Sequence, residues 1–320
     1  MVGPRYVAGL HRLTANTFAY LQPPGTWGFS NCGLVVGSRE ALLVDTQFTL
    51  PMTARLREAI GTALPDVRVA TIINTHANGD HCWGNSLFAD ASVVAAVSTA
   101  QHMAAEISPS QLAQLIAAAP RDSARGSYLR RHFGGFDFDG IALTPPSRTF
   151  VGEIEVVVGG QLVEAIEVGP AHTPGDVIVH VPDDGVVFAG DILFINDHPI
   201  MWTGPIKNWI EACDVILGTD ARVIVPGHGP VTDSAGVTEF RLYLEYVAEY
   251  GTASYDRGMP YWQAAAHMPI QPPFHDWGHR ERLVITLASL YRNLGQADPD
   301  DLATLFDRVG ELEALASRSS

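Results

Sequence analysis

The 320-residue sequence predicts an α/β (α+β) fold, one compact unit with a helical insert near residues 99–140 and a helical C-terminal tail. Two observations support this class. Short β-branched segments alternate with segments of helical periodicity, and this layout of strands followed by a helix occurs twice along the chain. No low-complexity linker divides the sequence, and its hydrophobic content of 47% is sufficient for a large core.

The first half begins with short strands separated by turns rich in glycine and proline. These strands are FAYL, NCGLVVG and ALLVDT. Helical periodicity follows in TLPMTARLREAIGTAL, and the apolar strand VATIINT comes next. The strand ASVVAAV then leads into the insert, which is predicted to be helical in STAQHMAAEISPSQLAQLIAAA and ARGSYLRRHF. Its apolar spacing is typical of an amphipathic cover on a core, and a substrate lid is the alternative.

The second half repeats this layout after Pro145 and Pro146. Its predicted strands are IEVVVGG, LVEAIEVG, VIVHVP and GVVFAGD, and the helix IKNWIEACDVILGT and the strand ARVIVPG complete it. From about Thr232 the chain is mostly helical, most clearly in GVTEFRLYLEYVAEYG and HRERLVITLASLYRNLG. We therefore predict a main domain over residues 1–235 and a helical extension, packed on the same unit, over residues 236–320.

Charge and cysteine content argue against several classes of protein. The formal net charge is −15, the pI is near 5.1, and Lys207 is the single lysine, so nucleic acid is not an expected partner. The N-terminal segment does not resemble a signal peptide, and no apolar run approaches the ~18 residues of a membrane span, so we expect no membrane association and a cytoplasmic location. The three cysteines are far apart, as is typical of reduced thiols.

Potential metal ligands follow the ends of predicted strands. Asp45 ends ALLVD, His172 follows VEAIEVGPA, Asp191 ends VVFAGD, and His228 follows VIVPG. The loop THANGDH adds four further candidates, which are His76, Asn78, Asp80 and His81. Imidazole and carboxylate together are the ligand set of zinc and similar divalent ions. One such residue at a strand end would be ordinary, but this ordered series indicates a metal centre.

The series of Asp, H-x-x-x-D-H, AHTPGD, AGD and PGHG resembles the metallo-β-lactamase superfamily over roughly residues 15–235. This resemblance implies a four-layered αββα sandwich with a metal cleft between two similar halves, and it makes residues 1–235 a catalytic domain. It also implies the ligands of two metal sites. Site one would use His76 and His172, site two would use Asp80, His81 and His228, and Asp191 would bridge the sites.

One residue departs from the family pattern H-x-H-x-D-H. Asn78 stands where that pattern has its middle histidine. A neutral amide oxygen is a weaker zinc ligand than imidazole, so we expect one or two zinc ions, with site one the weaker. Asp80 or Asp45 is expected to accept a proton in catalysis, and Asp45 could instead orient a ligand histidine.

Candidate substrate contacts follow Asp191 closely in the sequence. His198, Trp202 and Asn208 lie in INDHPIMWTGPIKNW and are expected to wall the substrate pocket. Loop packing and a helix cap are the alternative roles for these three residues.

Three function classes remain open. NTHANGDHCWGN, WTGPIKNWIEACD and ERLVITLASLYRNLG resemble a branch of the superfamily found among actinobacterial cyclases of aromatic polyketides. That resemblance implies aldol cyclisation and dehydration of a poly-β-ketone, together with hydrolysis of its thioester. The alternative is a zinc hydrolase of an ester, thioester, lactone or β-lactam, and the third class is a metal-stabilised binding protein without turnover. The expected partner is a small molecule or an acyl chain tethered to a carrier protein.

Overall fold

The computed structural model describes residues 3–297 and 300–319, with side chains as far as residue 316. These residues form two β-sheets. The first sheet has seven strands in chain order, which are β1 (Gly9–Arg12), β2 (Thr17–Leu21), β3 (Cys32–Val36), β4 (Glu40–Val44), β5 (Arg68–Ile73), β6 (Ser92–Ala96) and β7 (Arg148–Phe150). Strands β1 to β4 pair antiparallel, and β4 to β7 pair parallel.

The second sheet has five strands in the order β12-β11-β10-β9-β8. The ranges are β8 (Glu153–Val158), β9 (Gln161–Glu167), β10 (Val177–Val181), β11 (Val186–Phe188) and β12 (Val223–Val225). Strands β8 to β11 are antiparallel, and the edge strand β12 is parallel to β11. Each sheet therefore carries parallel neighbours whose carboxyl ends lie at the same edge.

The helices lie before, between and after these strands. Their ranges are α1 (Leu50–Ala63), α2 (Gly79–Cys82), α3 (Val97–Met103), α4 (Pro109–Ala118), α5 (Ala124–Phe133), α6 (Ile206–Gly218), α7 (Ser234–Asp256), α8 (Tyr261–His267), α9 (Leu283–Asn293) and α10 (Leu302–Ser319). Along the part of the chain that is described, no helix has both the length and the apolar character needed to cross a membrane.

The sheets pack face to face, and side-chain alternation along each strand decides what each residue contacts. In β4, Leu42 and Val44 face the second sheet, whereas Leu43 packs against α1. In β10, Val177 and Val179 face the first sheet, and Ile178 between them packs with residues of α6 and α7. Because these inner strands of both sheets are covered on both faces, the layers are helix, sheet, sheet and helix, as the αββα prediction states.

The helical insert differs from its prediction in one respect. The run from Ser98 to Ala119 is broken after α3, and the chain turns before α4 begins. Ser108 forms a capping box with Gln111, and Pro109 occupies the first helical position, so this sequence starts a new helix. The break places the turn that contains Glu106 next to the metal-ligand candidates.

Candidate metal centre

The fold brings the candidate ligands to one edge of the two sheets. Asp45 follows β4 and His76 follows β5, which are parallel neighbours. Asp191 follows β11 and His228 follows β12, the parallel pair of the second sheet. The short helix α2 carries Asp80 and His81, and His172 lies in the connection from β9 to β10.

Within the described chain, these residues form two groups that could hold metal ions. In each group the potential ligand atoms lie within 4.8 Å of one another, and the groups are His76, His172 and Asp191, and Asp80, His81 and His228. Asp191 also contacts the second group, because its Oδ1 lies 3.1 Å from His81 Nε2 and its Oδ2 lies 3.4 Å from His228 Nε2. The two groups have the same members as the ligand sets that the resemblance implies, and Asp191 contacts histidines of both.

The donor set fits a divalent cation. His76 Nε2, His81 Nε2 and Asp191 Oδ1 are buried and have no hydrogen-bond partner among the described residues. Buried polar atoms without partners are rare in folded proteins, and these three, which belong to the two neighbouring groups, indicate ligands that satisfy them. Imidazole nitrogens with carboxylate oxygens suit zinc or a similar ion.

The pKa values of Asp191 and His172 agree with this donor set. Burial opposes ionisation of Asp191, but the imidazoles of His228, His81 and His76 outweigh burial and hold the pKa of Asp191 well below its usual range. Burial lowers the pKa of His172 to about 4, despite the neighbouring Asp191 carboxylate. Asp191 is therefore ionised and His172 is neutral at pH 7, which are the protonation states that metal binding requires. For His81 and His228, burial opposes protonation, but the Asp191 and Asp80 carboxylates outweigh burial and raise the pKa of both imidazoles, that of His228 to about 9, so a metal ion would have to displace a proton from each.

The distal ring nitrogens of the histidines are held by hydrogen bonds that direct Nε2 toward the metal groups. His172 Nδ1 donates to the Ile200 carbonyl at 2.6 Å, and His228 Nδ1 donates to the Gly25 carbonyl at 3.0 Å. His81 Nδ1 lies 2.8 Å from Asp45 Oδ2. Such bonds fix the tautomer and the ring orientation of a metal ligand.

Asp45 lies behind His81, away from the cavity. Its side chain is 2% exposed, and it also accepts hydrogen bonds from the backbone N–H and the hydroxyl of Thr75. The Asp45 carboxylate thus contacts the Thr75 N–H, the Thr75 hydroxyl and His81 Nδ1, and these contacts hold the His81 ring in place. These contacts favour the alternative role of Asp45, the orientation of His81, over the expected role as a proton acceptor in catalysis.

Asp45→Asn is expected to lower zinc affinity by about 10- to 100-fold, the usual effect of losing a group that orients a ligand. The amide keeps the shape of the carboxylate but cannot accept from all three donors. Competitive chelator titration measures the change, with Asp214→Asn, a substitution in an exposed pair with Arg241, as the control. Equal zinc affinity in Asp45→Asn and the wild type would show that Asp45 does not support the site.

Asn78 lies beside site one, as expected. Its Oδ1 is 2.8 Å from His172 Nε2, and its Nδ2 donates to Glu106 Oε2 at 3.3 Å. Glu106 is itself 3.2 Å from His102 Nε2. Because His172 is neutral and donates through Nδ1, its Nε2 and the Asn78 oxygen are two acceptors that face each other, a contact that a bridging cation would make favourable.

Asn78→His is expected to tighten site one, because imidazole is a better zinc ligand than an amide oxygen. In the wild type, site one should lose zinc at a lower chelator concentration than site two, and the substitution should narrow that difference. Competitive chelator titration of both proteins measures the two affinities. Two equal affinities in the wild type that do not change in Asn78→His would contradict a ligand role for Asn78.

A cavity of about 310 Å³ opens beside these groups. Asn78, Asp80, His172, Asp191 and His228 lie in its wall. The rest of the wall is mainly apolar, and its aromatic residues are Trp27, Phe48, Trp83, Phe133, Phe194, Trp202 and Phe306. The dimensions and the apolar lining are those of a small-molecule site.

Of the three predicted substrate contacts, Trp202 lines the cavity and the other two do not. His198 is 1% exposed, and its ring is hydrogen-bonded to the Tyr243 hydroxyl. This contact joins the loop that carries His198 to α7. Asn208 lies in the first turn of α6, where its backbone N–H donates to the Pro205 carbonyl. The arrangement therefore does not support a wall role for His198 or Asn208, although both follow Asp191 closely in the sequence.

Several residues of the wall were not predicted from the sequence. His102, Glu106 and Phe133 come from the insert, and Arg282 and Phe306 come from the C-terminal tail. The spacing of His102 and Glu106 on a predicted helix was a visible signal, but their approach to Asn78 depends on the break between α3 and α4. Insert and tail therefore both complete the site.

A comparison with known families and proteins agrees with this geometry. The family model of the metallo-beta-lactamase superfamily matches residues 25–228. The alpha subunit of 2,4-dinitroanisole O-demethylase from a Nocardioides species is 28% identical over 202 residues, which cover 61% of this chain and 51% of that protein. The chain thus spans about half the length of this relative.

Two solved structures share the fold. A stereoselective inverting sec-alkylsulfatase from a Pseudomonas species has a TM-score of 0.70 and 15% identity, with 93% of this chain and 52% of that chain covered. A metallo-beta-lactamase from Pontibacter korlensis has a TM-score of 0.55 and 20% identity, with 75% of this chain and 99% of that chain covered. The match of the family model to more than half of the sequence shows that the chain belongs to the metallo-β-lactamase superfamily.

Proposed function

We propose that the protein is a zinc-dependent hydrolase that cleaves an ester-type or activated aryl ether bond in a compact aromatic molecule. The observation that carries this proposal is the position of the two metal-ligand groups in the wall of an aromatic cavity. A substrate ring that packs against these aromatic side chains would hold its reacting atoms beside the groups.

The residues of the site divide into those that would bind the metal ions and those that would transfer protons. His76, His172 and Asp191 would hold one ion, and Asp80, His81 and His228 would hold the other, with Asn78 at the edge of the first. A bound divalent ion supplies Lewis acidity, which polarises an electrophile and lowers the pKa of water.

Two carboxylates lie at the cavity wall as candidates for proton transfer. Burial opposes ionisation of Asp80, but His81 and His228 hold its pKa below the usual range, so it is an ionised acceptor at pH 7. Glu106 also lines the cavity and is held by Asn78 and His102. We assign Asp80 the role of proton acceptor, since it belongs to the metal-ligand groups themselves.

The relatives support a hydrolytic or related cleavage of a bond to oxygen, sulfur or nitrogen. By their names, one acts on the O-methyl group of 2,4-dinitroanisole, one on alkyl sulfates and one is a beta-lactamase. The relative that matches in sequence acts on an aromatic ether, which agrees with the aromatic cavity of this chain.

Polyketide cyclisation is the second candidate. The aromatic wall would also accept the rings of a cyclised polyketide, but the cavity volume of about 310 Å³ is at the low end for small-molecule sites. A compact free substrate fits this volume better than an extended acyl chain on a carrier protein. None of the three relatives named above is a cyclase by its name, so cyclisation stays a prediction.

A substrate panel tests the proposal. Zinc-loaded protein is incubated with 4-nitrophenyl acetate, 2,4-dinitroanisole, 4-nitrophenyl sulfate, an aryl thioester, a lactone and a β-lactam. We expect hydrolysis of the aryl ester or the aryl ether, loss of activity after chelation and recovery when zinc is restored. Cyclisation of a poly-β-ketone without hydrolysis of any panel member would favour the cyclase. Zinc binding without turnover of any compound would favour a binding protein.

A further inference from the structure

The cavity contains a buried positive charge that the metal groups do not use. Arg282 lies in the cavity wall, and its side chain is only 1% exposed. Its Nε and Nη1 are buried and have no hydrogen-bond partner among the described residues. Burial of an arginine without hydrogen bonds is unfavourable, because the N–H groups lose their water and gain nothing in exchange.

The neighbours of the guanidinium do not supply the missing hydrogen bonds. It packs over the ring of Trp27, 5.1 Å from the ring centroid, and over Phe194 at 5.9 Å. Among the residues that the structure describes, the nearest carboxylate is that of Asp197, whose Oδ2 is 3.8 Å from Nη1, beyond hydrogen-bond distance. Asp197 balances the charge, but the directed N–H groups remain available to a ligand that accepts hydrogen bonds.

The position of the guanidinium relative to the metal groups is set by Phe194. The ring of Phe194 stacks on His228 with a centroid distance of 5.1 Å and an interplanar angle of 6°. Arg282 packs over the same phenylalanine. The positive charge therefore lies in the wall of the same cavity as His228 and packs on the ring that stacks on His228.

The segment that carries Arg282 is held firmly, so the guanidinium is pre-organised. The neighbouring Glu281 accepts hydrogen bonds from the Tyr128 hydroxyl at 3.2 Å, and it lies 3.1 Å from His279 Nδ1. Tyr128 in turn accepts from Trp27 Nε1. These contacts join the tail to the insert and to the wall beneath Arg282, which reduces the ordering that ligand binding would require.

We propose that Arg282 binds an anionic group of the substrate, which makes the substrate a small aromatic acid that carries the bond to be hydrolysed. The part of this statement that concerns hydrolysis rests on the proposed function, whereas the anion site rests on Arg282 alone. Guanidinium recognises carboxylate or sulfonate through paired N–H donors, and the aromatic wall accepts the ring.

Calorimetric titration of the zinc-loaded protein tests the proposal with two probes of the same shape, naphthalene-2-carboxylate and naphthalene-2-carboxamide. The wild type is expected to bind the carboxylate more tightly. Arg282→Met should reduce this preference by about 10- to 100-fold, the effect of losing hydrogen bonds to a charged group. Any preference caused by zinc is present in both proteins, so the comparison isolates the guanidinium.

Two further variants complete the test. Arg241→Met removes an arginine from an exposed pair and is expected to keep the wild-type preference. Arg282→Lys keeps the charge but not the paired donors, so a several-fold loss of the preference for the carboxylate is expected. This variant replaces Arg282→Met in the test if thermal unfolding shows that Arg282→Met does not fold.

The result separates the anion site from the proposed hydrolase, because neither probe is hydrolysed. A wild type without preference for the carboxylate, or the full preference in the folded Arg282 variants, would overturn the anion site even if the panel esters are hydrolysed. A preference that depends on Arg282 in a protein that hydrolyses no panel compound would confirm the anion site and contradict the hydrolase.

Discussion

Asp191→Ala is expected to remove most of the bound zinc and to lower kcat/KM by more than about 100-fold, since a direct ligand contributes more than the groups that orient one. Asp191 has oxygens near both metal-ligand groups, at 3.1 Å from His81 Nε2 and 3.4 Å from His172 Nε2. Among the carboxylates that the structure describes, no other belongs to one group and also lies this close to a histidine of the other. Its loss should therefore affect both sites at once.

Metal analysis and hydrolysis of the responsive panel ester measure these effects. His228→Ala is expected to behave similarly but to act mainly on site two, because His228 lies 3.4 Å from Asp80 in that group. Asp214→Ala, in an exposed pair with Arg241, is the control and should match the wild type. Near-normal zinc content and turnover in both Asp191→Ala and His228→Ala would mean that the ligand assignment is wrong.

Gly227→Ala is the second substitution with a large expected effect, although it removes no ligand atom. A Cβ at this position would lie 2.0 Å from Asp191 Oδ1 and 2.7 Å from the carbonyl carbon of Gly190. The backbone of Gly190 cannot yield easily, so the Asp191 carboxylate must move. We expect at least about a tenfold loss of zinc affinity and a destabilisation of about 1–3 kcal/mol from the overpacking.

Gly61→Ala provides the matched control. A Cβ on Gly61 would meet nothing within 4 Å, and the residue lies inside α1, where alanine is favoured over glycine by about 0.5–1 kcal/mol. This variant should be slightly more stable than the wild type and should bind zinc equally well. If Gly227→Ala showed the zinc affinity of Gly61→Ala, the carboxylate of Asp191 would not be confined as the structure indicates.

The sequence was sufficient to predict the layers of the fold and to place most of the metal-ligand candidates near one another. The apolar segment ALLVDT predicts a strand, and the structure confirms it as β4, with Leu43 against α1 and Leu42 and Val44 facing the second sheet. The ligands could be found because each follows a strand, and parallel neighbours such as β4 and β5 bring their carboxyl ends to a common edge.

Roles that depend on the direction of a side chain could not be predicted in the same way. His198 and Trp202 are four positions apart in one loop, but only Trp202 faces the cavity. The direction of each is decided by its partners, and for His198 the partner is Tyr243 on α7. Asp45 likewise has the position of a catalytic residue in the sequence and becomes a positioning residue through His81 and Thr75.

Residues that reach the site from other segments were the hardest to predict. Glu106 depends on the chain break between α3 and α4, and Arg282 lies more than fifty residues beyond His228 in a segment without a metal motif. Tertiary packing alone brings them to the cavity. The specificity of the proposed hydrolase is therefore expected to depend on the insert and the tail, and its metal chemistry on the strand ends.

The most direct test of the metal centre is an anomalous difference map, measured at the zinc edge, from crystals grown with excess zinc. We predict one peak among His76, His172 and Asp191 and a second among Asp80, His81 and His228, with Asp191 between them. With limiting zinc, the peak beside Asn78 should be the weaker. Zinc-loaded crystals without a peak at either group would contradict the metal centre and the hydrolase built on it.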